Sequence, residues 1–126
     1  MVIKPRVIAG KADKGKEPAM EHSLDGWDIA KLDDLEWMPW GSHGNAKAKL
    51  MATADGFNVA LVVADPGYAG DPHVHGFPEF LYVLDGSVRT QGQTLEKGDG
   101  YAASTGSRHT DFVTESGATY LSIFKL

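Results

Sequence analysis

The chain contains no cysteine. Neither a disulfide framework nor a thiolate metal site is therefore available, and any bound metal must be held by nitrogen and oxygen donors. Nowhere does the chain approach the roughly 18 uninterrupted apolar residues that a membrane span requires, and its opening residues lack the long apolar core of a secretory signal. A soluble cytoplasmic protein with no membrane partner is expected. Cationic side chains are in deficit: 12 Lys and Arg stand against 17 Asp and Glu, for a formal net charge of -5. Phosphate binding needs a basic stripe, so nucleic acid is not an expected partner either.

The length, 126 residues, suits one domain with a single apolar core. Residues 1–23 carry Lys4, Arg6, Lys11, Lys14 and Lys16 among Gly and Pro without sustained periodicity, which reads as a partly mobile N-terminal arm. The folded domain is assigned to residues 24–126. Its first stretch, with Trp27, Ile29, Leu32, Leu35 and Trp37, fits a short helical turn or an extended lead-in equally well. From about Ala46 onward the pattern becomes short β-branched or aromatic runs separated by Gly, Asp and Pro, as in an all-β sandwich or barrel. Strands are predicted over 48–52, 57–64, 78–84, 87–91, 93–96, 100–103, 108–115 and 119–124. Asp85 and Gly86 are expected to break one run from the next, with turns at Gln91-Gly92 and at 97–100.

One segment carries chemistry. His73 and His75 are separated by one residue, so in an extended chain both imidazoles leave the same face and can reach one ion. Glu79 follows after Gly76-Phe77-Pro78, an interruption that lets the chain turn and bring a carboxylate back to the same point. His109, on a later predicted strand, is the candidate fourth ligand. Three neutral imidazoles and one carboxylate suit Fe, Mn, Co, Ni or Zn and fit Mg or Ca poorly. Each residue also has a plainer placement. His73 and His75 could lie on a surface loop, Glu79 could bond elsewhere, and His109 could be a core histidine bonded to a carbonyl. His22 and His43 have no partner at ligand spacing and are expected to face solvent.

These residues resemble the motifs of the cupin superfamily. The first motif, Gly, five residues, His, one residue, His, three or four residues, Glu, six residues, Gly, is matched by Gly67, His73, His75, Glu79 and Gly86. The second is matched at Gly98, Gly106 and His109, with Ser104 where proline is usual and Val113 where asparagine is usual. The resemblance covers 67–113 closely and the flanking strands more loosely. It implies a double-stranded β-helix, that is, a jelly-roll barrel, commonly homodimeric. It also implies one divalent transition metal per chain on His73, His75, Glu79 and His109, with Fe(II) first and Zn, Mn, Ni or Co as the other candidates.

Alternation then assigns faces. With Glu79 inward, Leu81 and Val83 point inward as well, while Phe80, Tyr82 and Leu84 face another layer or a second subunit. With His109 inward, Asp111 and Val113 share its side and Phe112 does not. Asp111 could orient a ligand imidazole, accept a substrate proton or, as the plainer placement, face water at the rim, and Val113 would line an apolar wall. Phe57, Val59, Leu61 and Val63 form one face that could wall the cavity or belong to ordinary core. Trp37, Trp40 and Phe77 are placed near its mouth. Four protein ligands on a six-coordinate ion leave two positions for substrate and O₂. The resemblance to small single-domain cupins, which include dioxygenases that cleave β-diketones or hydroxylated aryl ketones, implies a non-haem metal-dependent dioxygenase acting on a small enolisable or aromatic carbonyl compound as the leading expectation. The alternatives are a non-catalytic sensor or binding module and a metal-dependent isomerase or lyase. No catalytic residue is assigned.

Overall fold

The computed structural model describes residues 22–126, so the predicted arm lies almost wholly outside the described residues. The lead-in proves to be both things its pattern allowed. A single 3₁₀ turn, Leu32–Asp34, is followed by a two-residue strand, β1 (Met38–Pro39). Ten further strands follow: β2 (Ala46–Ala54), β3 (Phe57–Ala64), β4 (Tyr68–Ala69), β5 (His73–Val74), β6 (Glu79–Thr90), β7 (Gln93–Glu96), β8 (Gly100–Ala103), β9 (Arg108–His109), β10 (Phe112–Thr114) and β11 (Ala118–Lys125). The large sheet runs β1-β2-β3-β11-β6-β10-β4, with β7 and β8 also on β6, and β5 pairs with β9 separately. Every pairing is antiparallel. The large sheet curls on itself into a half-barrel. None of the described helical segments is long and apolar enough to cross a membrane.

β6 organises the barrel. Its first half pairs with β8 and β11, and its second half pairs with β7 and β10. The expected break at Asp85-Gly86 is instead a bend inside one continuous strand. Opposite Thr119 and Tyr120 the register slips by one residue, and Gly86 takes a φ of 74°. A Cβ on Gly86 would overlap the carbonyl oxygen of Gly117, so only glycine lets the strand turn here without parting from β11. The predicted 108–115 run errs in the opposite direction. It is split into β9 and β10 by Thr110 and Asp111, which reset the alternation.

The core follows from the resulting faces. Ala60, Val62 and Ala64 of β3, Leu81, Val83 and Val88 of β6, and Ala118 and Tyr120 of β11 are buried together with Ala48, Tyr68 and Phe112. Leu81 and Val83 thus point inward beside Glu79, as alternation requires, while Phe80 and Tyr82 stay 44% and 48% exposed. Two expectations are overturned. Phe112 and Thr114, not Val113, are the buried members of β10, because the Thr110-Asp111 interruption shifts the phase after His109. On β3 the inward set is Ala60, Val62 and Ala64, leaving Val59, Leu61 and Val63 half-buried on the outer face. There they stand across from Ile123, Leu121 and Thr119 of β11, and Ile123 and Leu121 in turn stand beside Phe80 and Tyr82. The sheet is apolar on both sides.

Replacing Gly86 by Ala should destabilise the protein by more than about 2 kcal/mol, from positive φ and overlap with β11 together. Gly92, at a φ of 72° but with open space around it, should lose only about 1 kcal/mol as Gly92→Ala. Urea denaturation of the two variants separates the effects, and equal losses would show that the bend at Gly86 is not sterically enforced.

Candidate metal centre

The β5–β9 ladder sets His73 directly across from His109. Hydrogen bonds from His75 N to Ser107 O (2.9 Å) and from Gly106 N to His75 O (2.7 Å) extend the pairing. His75 is thereby fixed on the same face as His73. The three rings lie with centroids 4.8, 5.1 and 5.4 Å apart. Glu79, the first residue of β6, brings its carboxylate to them: Oε2 is 3.0 Å from His75 Nε2 and 3.8 Å from His109 Nδ1. One potential ligand atom from each of His73, His75, Glu79 and His109 lies within 4.8 Å of all the others. The structure thus brings all four predicted residues together, while His22 and His43 are exposed and stand apart from the cluster.

Hydrogen bonding decides which nitrogen of each ring faces the cluster. The Thr90 hydroxyl donates its one proton to the Asp111 carbonyl (2.8 Å), so at 2.7 Å it can only accept from His109 Nε2–H. The same logic holds at His75. Ser107 Oγ donates to Ser104 O (2.6 Å) and accordingly accepts from His75 Nδ1–H at 2.9 Å. His73 Nδ1–H donates to the Asp71 carbonyl at 2.9 Å. Each outer nitrogen is thus committed as a donor, which in neutral rings leaves the lone pairs of His73 Nε2, His75 Nε2 and His109 Nδ1 for the cluster. This is the arrangement in which neutral imidazoles present themselves to a metal.

Two further observations fit an ion. His109 Nδ1 is buried with no hydrogen-bond partner, which costs about 1–3 kcal/mol unless something occupies its lone pair. His75 Nε2 lies 3.0 Å from Glu79 Oε2, a spacing that calls for a proton or a cation between the two atoms. Ligands about 2.1 Å from one ion at right angles lie about 3 Å apart, close to this spacing. Burial drives the His109 pKa below its ordinary value, and the neighbouring His73 and His75 push the same way against the opposing Glu79 carboxylate. The neutral form that a metal requires is therefore favoured.

Three residues that motif spacing did not indicate complete the centre. Thr90 and Ser107 orient two imidazoles. Tyr101 donates its hydroxyl proton to Glu79 Oε2 at 2.9 Å, and burial, reinforced by that carboxylate, raises its pKa so that it stays protonated. Alternation along β8 could have marked Tyr101 as inward; nothing in the sequence marks Thr90. The Asp111 carboxylate accepts from Gln91 N and Thr110 Oγ1 and so pins its own turn instead of orienting an imidazole. Phe112 packs edge-on behind His109, with centroids 5.6 Å apart.

Two cavities meet at the cluster. One, of about 440 Å³, lies by β7, β8 and β9 and is lined by His75, Thr90, Leu95, Tyr101, Ser104, Arg108 and His109, among others. The other, of about 470 Å³, is lined by Trp40, His73, His75, Phe77, Glu79, Phe124 and Lys125, among others. Trp40 and Phe77 are thus near the centre as expected, but Trp37 is not, lying instead beneath Lys47 and Lys49 with their ammonium groups 4.4 and 4.9 Å from its ring. Val113 lines neither cavity, nor does the Phe57, Val59, Leu61 and Val63 face of β3.

The profile of the ChrR cupin-like domain matches residues 27–125. No curated protein sequence matches the chain. Among solved structures, an RmlC-like cupin from Shewanella frigidimarina superposes with a TM-score of 0.67 at 21% identity, over 77% of this chain and 88% of that one. An acetylacetone dioxygenase from Acinetobacter johnsonii gives 0.65 at 12% identity, over 86% and 79%. A chain from the complex of Rhodobacter sphaeroides SigE with the anti-sigma ChrR gives 0.64 at 23%, over 75% and 52%. At these identities the likeness to solved structures carries the fold alone.

The role given to Thr90 can be measured. Thr90→Val keeps the side-chain shape but removes the acceptor for His109 Nε2–H, and should weaken divalent-metal binding by about tenfold or more in competition with a chelating dye. Unchanged affinity would show that the orientation of His109 is set by packing against Phe112 alone.

Proposed function

The chain belongs to the ChrR cupin-like family, and from that premise we propose that it binds one divalent transition metal on His73, His75, Glu79 and His109. With Fe(II) bound it acts as a dioxygenase on a small enolisable or aromatic carbonyl compound. The observation that carries this reading is the convergence of one ring nitrogen from each of three histidines on one carboxylate where two cavities meet. Two approaches suit a reaction with two reactants, an organic molecule and O₂.

Bound Fe(II) would supply a Lewis acid for the carbonyl oxygens and an electron source for O₂. The chain's own groups do the rest. Tyr101, protonated and hydrogen-bonded to Glu79, is a donor and not a base, and it fixes the carboxylate. Leu95 and Ala103 on one side and Trp40, Phe77 and Phe124 on the other give walls that exclude water and accept an apolar carbonyl compound. The similar Acinetobacter johnsonii protein is described as acting on acetylacetone, a compound of this class.

A second reading, a metal-dependent binding module, is favoured by the likeness to a chain from the SigE complex with anti-sigma ChrR, and the outer face of β3, β11 and β6 is apolar. We assign that face to a second copy of the chain, since Phe80 and Tyr82 extend it to the edge beside β8 and an uncovered apolar sheet invites association.

Elemental analysis and oxygen uptake test the chemistry. His73→Ala, His75→Ala and His109→Ala should each lose most of the bound metal yet remain folded, and near-stoichiometric metal in the His109 variant would remove it from the ligand set. The Fe(II) form should consume O₂ with acetylacetone or a hydroxyaryl ketone, and the Zn form should not. Absence of uptake with every redox metal would favour the binding module, and turnover in the Zn form without O₂ would favour an isomerase or lyase. Sedimentation should give a dimer mass that Tyr82→Lys converts to monomer; a concentration-independent monomer of the parent chain would leave the outer face to another protein.

A further inference from the structure

We infer that the cavity beside β7 and β8 takes an organic anion and that Arg108 selects it, an inference that rests on the carbonyl-substrate reading above. In a chain of net charge -5 the lining of this cavity contains no Asp or Glu, and Arg108 is the one residue in it with a permanent charge. Among the described residues the carboxylate contacts within ion-pair distance are those of Glu79 with His75 and His109, so the Arg108 guanidinium has no acidic partner. An unpaired guanidinium over a cavity free of acids is a receptor for carboxylate, which it can bind through two parallel hydrogen bonds.

The cavity is graded. His75 and His109 are buried, Tyr101, Leu95 and Ala103 are half-buried, and Gln93, Ser104 and Arg108 are exposed. A fitting ligand places its carbonyl oxygens at the imidazole end, a short apolar stretch against Leu95 and Ala103, and its negative charge at the open end. Arg108 immediately precedes His109 and pairs with Val74 in the β5–β9 ladder, so its backbone is held in register with the candidate ligands. The second cavity does not offer this. Its cation, Lys125, already lies over Phe77 and Phe57 at 5.1 and 5.5 Å from their centroids, and the Glu79 carboxylate lines the same cavity and would repel an anion.

Calorimetry on the redox-inert Zn-loaded protein tests this without turnover, using succinylacetone and butyrylacetone, the same β-diketone ending in a carboxylate or a methyl group. Succinylacetone should bind about tenfold more tightly, as one charge-assisted contact allows, and the preference should shrink as salt is raised. Arg108→Gln should erase the difference and Arg108→Glu should reverse it, both variants keeping the Zn content and melting behaviour of the parent. Equal affinities in the parent protein, or a preference that survives Arg108→Gln, would overturn selection by Arg108 and leave the carbonyl reading standing. Failure of both diketones to bind would overturn the inference together with that reading.

Discussion

Three histidines and a glutamate can share one point inside an apolar barrel only if every polar atom that does not face that point has a partner of its own. Each stray donor or acceptor buried there would cost about 1–3 kcal/mol, a large part of the net stability of a small domain. The Thr90 and Ser107 hydroxyls meet that requirement at the outer nitrogens of the buried His109 and His75, and the Asp71 carbonyl accepts from the exposed His73. In meeting it they also fix which nitrogen turns inward. The centre's chemistry is thus set by the groups behind the rings as much as by the rings.

The path of β6 makes this possible. Glu79 begins the strand on the β8 and β11 side, and Thr90 ends it on the β7 and β10 side, yet both reach the same cluster. The bulge opposite Thr119 and Tyr120 and the left-handed turn at Gly86 carry one strand around the curl of the large sheet and keep both ends inward. The aromatic series Tyr68, Phe112 and Tyr120, with centroids 6.2 and 5.4 Å apart, fills the space behind and seats His109 against Phe112. Packing, strand geometry and polar pairing converge on one residue.

The same sheet explains why the outer face is apolar. β3 and β11 are bordered by strands on both sides and carry Val, Leu or Ile on the face turned away from the core, as strands do when both faces are to be covered. Their near-continuous hydrophobic runs therefore identify strands without saying which side is the inside. That is where alternation misled at β3: the small residues Ala60, Val62 and Ala64 face the core, where the curled sheet leaves little room, and the larger Val59, Leu61 and Val63 face outward.

Residues close in sequence were legible because their geometry is local. The period of two in an extended chain placed His73 and His75 on one face and grouped Glu79 with Leu81 and Val83, and the absence of cysteine restricted the donors to nitrogen and oxygen. The strand pattern and the cupin-like spacing of Gly67, Gly86 and Gly106 determined the fold class. What only the tertiary structure decided depends on contacts between distant segments: that Asp85 and Gly86 bend β6 instead of ending it, that Thr110 and Asp111 shift the phase and exchange Phe112 for Val113, and that Thr90, Ser107 and Tyr101 govern the orientation of three of the four candidate ligands. Hydrogen bonds across 19 residues (Thr90 to His109), 32 residues (His75 to Ser107) and 22 residues (Glu79 to Tyr101) have no periodic signature in the chain. They exist because barrel closure, set by where strands pair and bulge, brings those hydroxyls to the side chains of the cluster.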